Sequence, residues 1–129
     1  CRLNPETRSL VYASAGHTPG FILDGKGEVK QMLDSIDIPL GFMEEHSFGC
    51  SGDIVLEPGD TLALLTDGII EAEKPDQTSF GVERAIEYVR THSDESAQAL
   101  VKGLFQAVRD FSDGMPQVDD ITSVICKIT

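Results

Sequence analysis

The 129 residues fit a single domain, and 40% apolar with 25% charged residues is the make-up of a soluble globular chain, not a collagenous, disordered or disulfide-rich one. Twenty-two acids against ten bases leave a formal charge of −12 with no Lys/Arg cluster, which excludes the cationic footprint of a nucleic-acid binder and opposes contact with anionic lipid. No apolar run approaches the roughly eighteen residues of a membrane-spanning helix. Cys1, Cys50 and Cys126 form neither a zinc motif nor a disulfide framework, so a cytoplasmic setting is expected.

The first half reads as β-structure. Ser9–Ala13 is a short β-prone run, and Gly16–Gly20 is a turn cluster with Pro19 inside it. Phe21–Leu23 and Glu28–Leu33 flank Asp24-Gly25-Lys26-Gly27, a hairpin connector. A loop around Ile38-Pro39-Leu40-Gly41 follows, then a mixed stretch from Phe48 to Leu56. Glu57-Pro58-Gly59-Asp60 turns the chain into Thr61–Thr66, which lacks alternation and so is expected to be covered on both faces.

Beyond Asp67-Gly68 the period becomes helical. Val82, Ile86 and Val89 predict one helix over Gly81–Thr91. Ser93-Asp94-Glu95 offers a cap and acidic first turn for a second helix, with Leu100, Leu104, Phe105, Val108 and Phe111 on its apolar face. Asp113-Gly114-Met115-Pro116 ends it. Ile121–Ile128, rich in β-branched residues, predicts a final strand.

Two carboxylate positions stand out. Asp67 lies where a buried strand runs out, and Asp119-Asp120 lies where the last strand begins. If those strands are adjacent and antiparallel, Asp67 and Asp119 meet at one rim of the sheet. Hard divalent cations take a few such oxygen ligands and keep several waters, and metal-activated water attacks phosphorus. Spacing alone also accommodates the plainer reading, a solvated aspartate or a turn cap. Asp24–Glu28 superficially suggests a Ca²⁺ loop but lacks its ligand spacing. His17, Arg84 and Glu71 read as structural or surface groups.

Five ordered blocks carry a resemblance: Ser14-Ala15-Gly16-His17-Thr18-Pro19-Gly20; Pro39-Leu40-Gly41; Pro58 through Ala72; Phe80-Gly81-Val82-Glu83-Arg84; and Gln117-Val118-Asp119-Asp120-Ile121-Thr122. In order and spacing the chain resembles the metal-dependent serine/threonine phosphatases of the bacterial SpoIIE/RsbU-like branch, distant relatives of the type-2C phosphatases. The resemblance implies an α+β fold, part of an α-β-β-α sandwich of mostly antiparallel sheets with two helices near residues 80–112. It implies metal-ligand roles for Asp67 and Asp119 toward Mn²⁺ or Mg²⁺, two ions in a complete domain. Gly68 is then expected to pack tightly beneath the site, and Asp120, standing where the type-2C relatives carry Asn, to support the ligands from behind.

The resemblance also implies hydrolysis of phosphoserine or phosphothreonine on a bacterial signalling protein such as an anti-sigma-factor antagonist. The family's other metal block, an Asp-Gly followed by Gly-His-Gly that supplies the metal-bridging Asp, does not occur in these residues. Residues 1–129 are therefore expected to be the C-terminal part of one phosphatase domain, inactive alone. They are also expected to self-associate through uncovered sheet or helix-facing surface. The alternative reading is a non-catalytic protein-binding regulatory module.

Overall fold

Alternating side-chain direction along short apolar strands lets one sheet feed two cores at once. The structure, a computed structural model, describes residues 1–129. Its strands are β1 (Arg2–Asn4), β2 (Ser9–Val11), β3 (Gly20–Leu23), β4 (Val29–Leu33), β5 (Ile54–Val55), β6 (Thr61–Leu65) and β7 (Ser123–Lys127). The helices are α1 (Asp67–Ile70), α2 (Gly81–Thr91) and α3 (Ala97–Phe111). All strand pairs are antiparallel, in two sheets ordered β1-β2-β5 and β4-β3-β6-β7.

From β3 and β6, Phe21, Leu23, Ala63 and Leu65 face the helices, where Ile69, Ala85, Val89, Leu104 and Val108 complete a core. The intervening Ile22 and Leu62 point the other way and meet Leu10, Tyr12 and Leu56 between the sheets. Residues 61–65 are thus covered on both sides, as their unbroken apolar run predicts. The layers are β-β-α, an α+β arrangement carrying the two expected helices on one face.

The hairpin joining β3 to β4 closes as its sequence predicts. The Asp24 carboxylate accepts the N–H groups of Lys26 (2.8 Å) and Glu28 (2.9 Å), and these donors hold its pKa below the ordinary carboxylate value. The turn into β6 is tied by Asp60, whose buried carboxylate accepts from Lys30 Nζ (2.7 Å) and the Glu57 N–H (2.9 Å).

Several local expectations change. The N-cap of α3 is Ser96, whose hydroxyl oxygen accepts the Ala99 N–H at 3.2 Å; Ser93-Asp94-Glu95 instead forms the connecting turn. Leu100, Leu104 and Val108, spaced by four, take the buried line, and Phe105, one position round the helix, stays 38% exposed. On α2 the buried line runs through Ala85 and Val89 rather than Val82. Of Phe48–Leu56, only Ile54 and Val55 form strand, paired with Leu10 and Ser9 of β2.

Candidate metal centre

The register of β6 on β7 decides what happens at the rim. Leu65 pairs with Ser123, and one further bond runs from the Thr66 N–H to the Thr122 carbonyl at 3.0 Å. The Thr66 hydroxyl then donates to the Asp120 carbonyl (3.0 Å) and accepts the Thr122 N–H (2.9 Å). Spent on this cross-strand link, it does not cap α1, although Thr66 is that helix's N-cap residue. Nothing in the sequence pattern announces the single helical turn that follows.

Asp67 opens α1 as the only acid in its first turn and is exposed. One oxygen, Oδ1, accepts the Gly68 N–H at 3.0 Å. Across the strand pair, Asp119 Oδ1 likewise accepts the Asp120 N–H at 2.7 Å, while the Asp119 carbonyl accepts from Gln117 Nε2 at 2.8 Å. Each carboxylate is therefore oriented by its own backbone through one oxygen, leaving Oδ2 to face solvent or a ligand.

Gly68 is buried between them. A Cβ there would stand 3.0 Å from the Asp119 carbonyl oxygen, 2.9 Å from the Asp120 carbonyl carbon and closer still to the Asp120 oxygen. The backbones that bear Asp67 and Asp119–Asp120 thus touch through the space of a missing side chain. No group of three or more His, Cys, Asp or Glu side chains is close enough to hold a metal ion.

Two concavities flank this rim. A cleft of about 1170 Å³ on the helix side is lined by Gly68, Glu71, Glu73, Arg109, Asp110 and Asp119 among others, four carboxylates against one guanidinium. A second cavity of about 520 Å³ extends the inter-sheet core toward the surface past Tyr12, Leu33 and Leu64, and reaches Thr66 and Thr122. His17 lines it, with Nδ1 donating to the Thr18 carbonyl at 2.7 Å. Arg84 serves locally: its guanidinium donates to the Ser79 and Phe80 carbonyls (2.9 and 2.7 Å) and lies 4.9 Å from the Phe111 ring centroid.

Sequence reasoning gave Thr66 no role. The available signal was its place at the strand end, immediately before Asp67.

The whole chain, residues 1–129, matches the family model for stage II sporulation protein E. It is 32% identical over 116 residues to Protein IcfG of Synechocystis, covering 90% of this chain and 18% of that protein. It is 29% identical over 131 residues to the phosphoserine phosphatase RsbU of Bacillus subtilis, covering 96% of this chain and 36% of that protein. Among solved structures, the SiaA-PP2C domain of Pseudomonas aeruginosa superposes with a TM-score of 0.81 at 24% identity, over 95% of this chain and 48% of that one; at that identity the likeness is one of fold. The chain spans half or less of the length of each of these relatives. No helix is long and apolar enough to cross a membrane. The chain belongs to the SpoIIE family of PP2C-type protein phosphatases.

Proposed function

We propose that these residues are the C-terminal part of a phosphatase domain and supply Asp67 and Asp119 as ligands of a divalent-metal centre, Mn²⁺ or Mg²⁺. The observation that carries this reading is the β6–β7 register, with Thr66, which adjoins Asp67, bonded to Thr122 and to the carbonyl of Asp120, which adjoins Asp119. The donor chemistry fits: two exposed carboxylates, each with Oδ1 spent on backbone, offer hard oxygen ligands to a hard cation. With no third acidic or imidazole group in reach, the remaining ligands are assigned to residues outside these 129, and the chain alone is inert.

When bound, the ions supply an activated water and the positive potential that a phosphomonoester needs beside a carboxylate-lined cleft. The residues of this chain do the positioning. Thr66 fixes the spacing of the two strand ends, Gly68 permits their close approach, and the Asp120 backbone receives the Thr66 hydroxyl at its carbonyl and orients the Asp119 carboxylate through its N–H. The reaction is hydrolysis of phosphoserine or phosphothreonine on a bacterial regulatory protein, such as an anti-sigma-factor antagonist, in the cytoplasm.

The test is a calorimetric Mn²⁺ titration run beside p-nitrophenyl phosphate turnover, on this chain and on the full-length protein, with an Asp67→Ala/Asp119→Ala double variant of each. Weak binding without turnover is expected for the chain alone. The full-length protein should bind and turn over, and the double variant should lose both. Turnover that survives the double substitution would overturn the ligand assignment. Tight two-metal binding by the chain alone would overturn its incompleteness. Full-length protein that grips a phosphoprotein but never turns over would support the non-catalytic binding module instead.

A further inference from the structure

We infer that the loop tip Leu40–Met43 is a docking surface for the phosphorylated protein itself, and that this partner presents an apolar patch rimmed by lysine and arginine. The inference rests on the phosphatase reading above and adds the chemistry of the partner's contact surface. Leu40, Phe42 and Met43 are 75%, 79% and 55% exposed. Single exposed apolar residues need no explanation, but three large ones within four positions concentrate apolar surface at one loop tip. Aromatic and Met side chains are also the types that concentrate in the buried centres of protein contacts.

The loop that carries them is pinned at its base. Asp37 Oδ1 accepts from the Ile38 N–H (2.9 Å) and His46 Nε2 (2.5 Å), and Oδ2 accepts the Gly49 N–H (3.1 Å). One carboxylate thereby ties both ends of the 37–49 segment together. Ser35 adds a second tie, accepting the Gly16 N–H at 2.6 Å and donating to the Asp37 carbonyl at 2.8 Å. His46 stands edge-on to Phe48 with centroids 4.9 Å apart. An apolar tip held out on a fixed base loses little further freedom on binding, which is the condition for a useful contact.

Position and charge select the occupant. Leu40, Phe48 and Gly49 wall the 520 Å³ cavity that also touches Thr66 and Thr122, the neighbours of the proposed ligands. A protein offering a phosphorylated side chain at that rim has its flank beside the tip. Glu44 and Glu45 follow the tip directly, and from Gln31 to Glu73 the chain carries no lysine or arginine. A basic rim is attracted there, whereas an acidic partner is repelled.

The experiment measures fluorescence anisotropy of two phosphoserine peptides on the full-length protein. One carries a Leu-Phe pair flanked by Lys and Arg, and the other has Glu at the flanking positions. The variants are a Leu40→Ser/Phe42→Ser/Met43→Ser triple and a Glu44→Lys/Glu45→Lys double, all at exposed positions, with p-nitrophenyl phosphate turnover followed in parallel. The basic peptide should bind the unmodified protein about tenfold more tightly than the acidic one, and the triple variant should lose about tenfold. The charge-reversed variant should invert the preference, with p-nitrophenyl phosphate turnover unchanged throughout.

Equal binding of the basic peptide by the triple variant would overturn the inference. So would a change in oligomeric mass of the triple variant with peptide binding unmoved, because the tip would then join copies or cover another part of the same protein. Loss of the phosphatase reading shows differently, as p-nitrophenyl phosphate turnover absent or indifferent to Asp67→Ala, and peptide anisotropy still decides the docking surface.

Discussion

Replacing Gly68 by Ala probes the contact on which the proposed site depends. The added carbon would stand 2.9 Å from the Asp120 carbonyl carbon and 3.0 Å from the Asp119 carbonyl oxygen. An unstrained carbon–carbon contact sits at about 3.5–4.0 Å, so about 0.6–1.1 Å must be found at this point. The obstacle is backbone held by the Thr66 hydroxyl and cannot rotate aside. Overpacking of this kind costs about 1–3 kcal/mol. Ala returns up to about 1 kcal/mol over Gly through helix propensity in α1, so the net loss should be about 0–2 kcal/mol and the fall in Tm up to about 8 °C. The displacement also moves Asp119 away from Asp67, and misplacement by about 1 Å costs on the order of 100-fold in turnover. Thermal and urea unfolding of the chain, with p-nitrophenyl phosphate kinetics on the full-length protein, read both effects. A Gly68→Ala variant with unchanged or raised Tm and unchanged turnover would refute the reasoning, because the two backbones would then be free to separate.

Thr66→Val keeps shape but leaves the Thr122 N–H without its 2.9 Å acceptor. Water reaches this exposed N–H, so the change should cost about 0.5–1.5 kcal/mol and speed hydrogen exchange at Thr122; unchanged exchange would show that the hydroxyl does not hold the strand ends. The Asp37 carboxyl is held below its usual pKa of 3.8, first by the Gly49 N–H and then by His46. Its contribution to the 37–49 loop is present above that value and is lost as pH falls through the lowered one. Exchange protection of the Gly49 amide should therefore persist above pH 3.8 and be lost only at a pH below that value, and protection that is flat with pH would contradict the tie. Strand β7 pairs only with β6 and shows Val124 at 53% exposure. Sedimentation of the chain should accordingly give a mass that rises with concentration and falls back with Val124→Lys; a concentration-independent monomer would remove the open edge as an association surface.

Local chemistry made much of the fold legible. The Asp24–Gly27 connector, the doubly covered 61–65 run and the 81–91 helix follow from turn propensity, the absence of alternation and a 3.6-residue period, each a property of neighbouring residues. The same holds for Asp67 and Asp119 as exposed acids at strand ends. Where the sequence erred, the competing choices were locally equivalent. Ser93 and Ser96 are both good caps, and only the docking of α3 selects Ser96. Phe105 is as apolar as Leu104, and only the helix's rotation against the sheet leaves it outside.

Three features belong to the tertiary structure alone. The β6–β7 register brings positions more than fifty residues apart to one rim. The Thr66 hydroxyl is diverted from helix capping to a cross-strand link, and Asp37 reaches both ends of its loop. A residue's type announces which bonds it can make, but partners distant in sequence are chosen by packing. The carboxylates of this protein were therefore visible in its sequence, whereas the backbone contacts that set their spacing arise only once the two strands lie side by side.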